Sequence, residues 1–102
     1  MDVHAPSLAT ATSVSLDLYR ALRLPRAVED KMLRLIRQNR ISKWFSGYGQ
    51  EAIAVGCAWA AEERDWLLPM HRNLGLWTTR GVPLPPLFCQ VLGKEGGFTK
   101  GR

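Results

Sequence analysis

A chain of 102 residues with 46% apolar content is long enough for one small folded domain and too apolar for a disordered segment. Fourteen Lys and Arg against nine Asp and Glu leave a net charge of +5 without any basic run, which favours a solvated, slightly basic surface over nucleic-acid binding. The two cysteines, Cys57 and Cys89, share no CxxC motif, which speaks against a disulfide framework or zinc site and for two reduced, buried thiols.

Met1–Val14 has no Lys or Arg and scatters its apolar residues among Ser and Thr, so it lacks the marks of a secretory or mitochondrial leader. It reads as a flexible N-terminal arm, 1–14. No stretch approaches the roughly 20 apolar residues of a membrane span, and a cytoplasmic protein without a membrane partner is the default expectation. Ser15 is placed to cap a helix, with Asp17 in its first turn and Leu16, Tyr19 and Leu22 as a stripe. Pro25 lacks an N–H and crowds the preceding turn, which predicts a kink or break at Leu24 with Pro25 opening a second helix. That helix is expected to run to about Asn39, whose side chain suits a left-handed cap. Val28, Met32, Leu35 and Ile36 give it one apolar face. Asp30 and Arg34 form a potential i,i+4 pair elsewhere on its surface, and Arg34, Arg37 and Arg40 read as a solvated face.

Ile41–Tyr48 reads as a loop or short extended piece, with Trp44 and Phe45 both assigned to the core. Gly47-Tyr48-Gly49 then feeds a helix from about Gln50 to Ala61. Ala52, Gly56 and Ala60 recur every four residues as a smooth seam suited to close backbone approach. A helix apolar nearly all round is expected to be buried in a larger assembly. Glu51, in its first turn, suits the helix dipole at least as well as a catalytic role. Glu62–Asp65 reads as a polar turn, and Trp66-Leu67-Leu68 as a short buried strand or extended run ended by Pro69. Met70–Arg80 is predicted helical with Leu74, Trp77 and Thr78 inward and Gly81 as its left-handed stop. Leu84–Leu92 follows as a last helix, with Pro85 and Pro86 in its opening turn and Leu87, Phe88 and Val91 as its apolar face.

Chemistry concentrates on His71-Arg72, which follow Pro69 and open the predicted helix. Free N–H groups and a guanidinium there suit an anion such as phosphate. The alternative is a surface Arg beside a partly buried His, and spacing does not choose between them. Gly93–Gly101 carries four glycines and two lysines, a weak phosphate-loop signal without a following helix. There is no Ser-His-Asp arrangement, Walker-type loop or metal-ligand cluster, so no catalytic residue and no metal ligand is assigned.

Five stretches carry a resemblance: Leu18–Leu22, Gly49–Gly56, Pro69–Gly75, Thr79–Leu84 and Gly101-Arg102. In their order and spacing they resemble the N-terminal part of the alpha subunit of thiamin-diphosphate-dependent 2-oxo acid dehydrogenases. These are the decarboxylating components of the pyruvate, branched-chain 2-oxo acid and acetoin complexes. The resemblance covers roughly residues 16 to 102. It implies a chain that is mostly α as it stands, the N-terminal helical portion of a Rossmann-like α/β thiamin-diphosphate-binding fold. Residues 15–102 would form an incomplete domain, inactive by itself. It further implies that Arg72 binds the cofactor diphosphate, with His71 in the place of an assisting tyrosine. The magnesium ligands, a Gly-Asp-Gly motif and a downstream Asn, would lie beyond Arg102. The implied reaction is decarboxylation of a 2-oxo acid and transfer of the acyl group to a lipoyl carrier. The implied partners are a beta subunit or fused beta region and a lipoyl-bearing acyltransferase component. Leu74 stands where pyruvate-type members often carry His, which favours branched-chain 2-oxo acids slightly. The competing expectation is a small non-catalytic helical adaptor for an acidic protein partner.

Overall fold

The computed structural model describes residues 8–102 as four helices: α1 (Leu8–Arg37), α2 (Glu51–Ala60), α3 (Leu74–Thr79) and α4 (Leu84–Val91). There is no strand among the described residues, so the chain is mostly α as expected. At about 1.5 Å per residue α1 alone is ~45 Å long, which accounts for a longest dimension of 48 Å.

Two expectations for α1 are corrected. Helix begins at Leu8, so Ser15 is an interior residue rather than a cap and residues 8–14 of the expected arm are helical; residues 1–7 lie outside the described ones. Helix also continues through Pro25 instead of restarting there. Losing one N–H and crowding the preceding turn costs about 3 kcal/mol or more. Two features offset it: the Pro25 ring is fully buried, and Leu18–Leu24 consists largely of strong helix formers.

The C-terminal half of α1 carries the core. Val28, Met32 and Leu35 are buried with Ile41 and Leu74, and Ile36, Trp44, Leu84, Leu87, Phe88 and Val91 pack around them. The i, i+4, i+7 face and the apolar face of α4 are thus borne out. The N-terminal half is bare: Val14, Leu16, Tyr19 and Leu24 are exposed. Asp30 and Arg34 do not pair among the described residues, and Arg34, Arg37 and Arg40 face solvent. Asn39 takes φ 57° at the helix end. Its N–H donates to Ile36 O, and that of Arg40 to Leu35 O, completing the expected left-handed stop. Gly81 does the same for α3 at φ 83°, with Gly81 N–H to Thr78 O and Val82 N–H to Trp77 O.

The seam of α2 faces away from the body. Ala52, Gly56 and Ala60 are exposed, and so are Ile53, Cys57 and Trp59. Burial falls instead on Glu51, Ala54, Val55 and Ala58. The close backbone approach occurs at Gly75 of α3, where a Cβ would lie 2.9 Å from Val55 Cγ2 and 3.1 Å from Ala54 Cβ. Cys57 and Cys89 are both free thiols, but Cys57 is exposed rather than buried.

The expected buried run at Trp66–Leu68 is the clearest reversal. Trp66 and Leu68 are each 91% exposed and no strand forms. An isolated strand has no neighbour to satisfy its N–H and C=O groups or cover its side chains, so apolar content alone does not bury it. Similarly, α3 starts at Leu74 rather than Met70, and Trp77 is exposed while Leu74 and Thr78 are buried. The 62–65 turn is held from a distance. The Arg80 guanidinium donates to the carbonyls of Glu62 (2.9 Å), Glu63 (3.2 Å) and Asp65 (2.9 Å).

Candidate functional site

Two side chains one turn apart on α1, Arg26 and Glu29, organise the loop between α1 and α2. Glu29 is 1% exposed. Its Oε2 accepts from Trp44 Nε1 (2.7 Å) and Ser46 Oγ (3.0 Å), and its Oε1 from the Gly47 N–H (2.8 Å). Ser46 Oγ in turn accepts from the Tyr48 N–H at 3.1 Å. One carboxylate thus anchors three positions of a four-residue stretch. Burying a carboxylate is costly unless it is hydrogen-bonded, and three donors meet that cost.

Arg26 anchors the next turn. It donates through Nε and Nη2 to the Glu51 carboxylate at 2.5 and 3.1 Å, and its guanidinium lies 3.8 Å from the centre of the Tyr48 ring. The hydrogen bond from Arg26 holds the Glu51 carboxyl below its ordinary value, outweighing the opposite effect of burial. The same bond raises Arg26 above the usual arginine value. Glu51, expected to serve the helix start or catalysis, therefore ties α2 to α1. Gly49 at φ 88° allows the turn closed by Gln50 N–H to Gly47 O.

The anchored loop meets the sequence-assigned pair. His71 and Arg72 lie in the turn before α3, not in its first helical turn, and both are exposed. The His71 ring meets Phe45 edge-on at 4.6 Å between centroids. Arg72 Nη1 donates to Ser46 O at 3.4 Å, and its guanidinium stands 6.0 Å from the Phe45 ring. Lys43 Nζ is 5.1 Å from the same ring. Phe45, assigned to the core, is instead half-exposed, whereas Trp44 packs against the core. Three basic side chains therefore surround one aromatic ring, and neither Arg72 nor Lys43 has an acidic partner among the described residues. That arrangement can receive an anion: the rings limit the freedom of the cations, and most Arg72 donors remain available. Gly47 lies against the backbone of the pair, where a Cβ would come 2.2 Å from Arg72 O.

Sequence reasoning missed Lys43, Phe45 as a site residue, Arg26 and Glu29. Glu29 leaves a signal: it sits on the apolar stripe, four residues after Pro25 and three before Met32, both fully buried. An acid there is buried and must find donors. By contrast, the donors of the Gly-rich loop are committed to α4 and to the loop itself. Gln90 Oε1 accepts from Thr99 N–H (2.9 Å) and Gly101 N–H (3.3 Å), and the N–H groups of Lys94, Gly97, Lys100 and Arg102 bond nearby carbonyls. The described residues hold no group of three His, Cys, Asp or Glu suited to a metal. No described helix is long and apolar enough to cross a membrane.

The basic site and all of the helical frame except the start of α1 lie within a stretch, residues 19–102, that matches the dehydrogenase E1 component family, and the chain belongs to that family. It is 36% identical over 85 residues to the pyruvate dehydrogenase E1 component subunit alpha of Acholeplasma laidlawii, covering 83% of this chain and 25% of the relative. It is 35% identical over 83 residues to the 2-oxoisovalerate dehydrogenase subunit alpha of Pseudomonas aeruginosa, covering 81% and 20%. The Bacillus subtilis protein of the latter name is 32% identical over 96 residues, covering 93% and 29%. The chain thus spans between a fifth and three-tenths of the length of these relatives. No solved structure matches it.

Proposed function

We propose that the chain contributes the diphosphate-binding edge of a thiamin-diphosphate site in a 2-oxo acid dehydrogenase decarboxylating component. The observation that carries this reading is Arg72: it lies inside the family match, exposed and without an acidic partner among the described residues, in the turn before α3 and hydrogen-bonded to the loop that Glu29 anchors. The residues present suit an anionic diphosphate; its magnesium would take ligands from outside this chain. When bound, thiamin diphosphate supplies the chemistry by which a 2-oxo acid loses carbon dioxide. Arg72 would neutralise and orient the diphosphate, His71 would donate a hydrogen bond beside it, and Lys43 would add local positive charge. The surrounding fold in this reading is Rossmann-like α/β, built with protein beyond these helices. The acyl product passes to a lipoyl carrier, the beta region and the acyltransferase component are the partners, and the location is cytoplasmic. Branched-chain 2-oxo acids are favoured over pyruvate; names of both kinds occur among the relatives.

Calorimetric titration of thiamin diphosphate into the full chain and its Arg72→Ala variant tests the site. Arg72→Ala is expected to weaken binding about tenfold or more, because a hydrogen bond to a charged group is worth roughly 1.5–3 kcal/mol. Equal affinity for both would remove Arg72 from the site.

A further inference from the structure

Glu29 does more than fill a place in the core. It lines the same junction as Pro25, Gly47, Glu51, Arg72 and Gly75, yet it makes no salt bridge with any described cation. Its oxygens are occupied by Trp44, Ser46 and Gly47. Those residues bracket Phe45, which meets His71, and include Ser46, whose carbonyl accepts from Arg72. Gly47, between the carboxylate and the Arg72 backbone, leaves no slack: its Cβ would lie 3.4 Å from Glu29 Oε1 and 2.2 Å from Arg72 O. Three hydrogen bonds to one buried side chain of α1 therefore hold the segment that meets the basic pair.

We infer that Glu29 is a positioning residue: by binding Trp44, Ser46 and Gly47 it sets Phe45 and Ser46 O, and through them the direction of His71 and Arg72 toward a bound diphosphate. The inference rests on the proposed diphosphate role of Arg72. Glutamine cannot replace Glu29. Its single carbonyl can face either Trp44 and Ser46 or Gly47, and its amide then confronts the remaining donor.

The test uses the full chain, inorganic pyrophosphate as the probe, and NMR contacts between side chains as a second readout. Glu29→Gln is expected to keep the side-chain contacts within the core cluster of Val28, Met32, Leu35, Ile41 and Leu74, lose the Phe45–His71 ring contact, and bind pyrophosphate about tenfold more weakly. Combined with Arg72→Ala and His71→Ala it should weaken binding no further, because it acts through those two side chains. Should Glu29→Gln fail to fold, Ser46→Ala removes one of the three donors and is expected to show the same loss of ring contact with a smaller fall in affinity. Retention of the Phe45–His71 contact in a folded variant overturns the inference, as does unchanged pyrophosphate affinity where Arg72→Ala weakens it. If Arg72→Ala itself changes nothing, the diphosphate reading fails, and the ring contact alone decides whether Glu29 positions the pair.

Discussion

Two glycines in neighbouring segments are expected to respond to alanine in opposite directions. At Gly47 an added Cβ would stand 2.2 Å from the Arg72 carbonyl oxygen, where ordinary contacts do not fall below 3.0 Å, and the obstacle is backbone. Either the 71–72 turn retreats or Gly47 withdraws from Glu29, whose Oε1 accepts its N–H at 2.8 Å. Overpacking costs about 1–3 kcal/mol, and loss of a hydrogen bond to a charged group roughly 1.5–3 kcal/mol. A combined cost of ~3 kcal/mol lowers the melting temperature of a chain this size by about 12 °C or more. At Gly56, which is exposed and helical, a Cβ would meet nothing within 4 Å. Gly56→Ala should gain about 0.5–1 kcal/mol by reducing the entropy lost on folding. Thermal unfolding followed by circular dichroism reads both. A Gly47→Ala variant as stable as the parent would refute the packing of the 44–48 loop on Arg72. A destabilising Gly56→Ala would show that the α2 seam is covered in solution.

Further outcomes follow from other contacts. The Glu51 carboxyl is held below its ordinary value near 4.5 by Arg26, so the stability it contributes is present above that pH and lost as pH falls through the depressed value. Melting temperature should therefore drop several degrees on acidification below about pH 4.5, and Glu51→Gln should be less stable at neutral pH and lack that part of the drop. Trp44→Phe keeps a ring but removes the indole donor to Glu29, with an expected loss of ~1–3 kcal/mol by chemical denaturation. Arg80→Gln frees the 62–65 turn, and tryptic cleavage after Arg64 should accelerate severalfold without loss of the core. Because Trp66 and Leu68 are 91% exposed, the Trp66→Ser, Leu68→Ser double variant should change stability by less than about 0.5 kcal/mol per site; a larger loss would show that this segment packs on something.

Local rules carried much of the fold. The stripe of Val28, Met32 and Leu35, the left-handed stops at Asn39 and Gly81, and the double-proline start of α4 each depend on residues within a turn or two, and each is found. What failed depends on distant partners. The Arg26–Glu51 pair joins residues 25 apart, and periodicity does not report such pairs. The outward turn of α2 and the bare Trp66–Leu68 run arise because burial requires a neighbouring surface, and apolar content marks only the capacity for it. Pro25 shows a local rule overridden: a residue that normally ends a helix is retained where its ring is wholly buried. For the site, the His71-Arg72 pair stood out because basic residues after proline are conspicuous, while its support was hidden. Glu29 looked like one more helical acid until the loop folded over it.

The most direct measurement is an amide NMR titration of the full chain with thiamin diphosphate. A diphosphate site formed by the 71–72 turn against the Glu29-anchored loop requires the largest shifts at Ser46, Gly47, His71 and Arg72, abolished by Arg72→Ala. Shifts centred on the Gly93–Arg102 loop, or none at any of these amides, would contradict it.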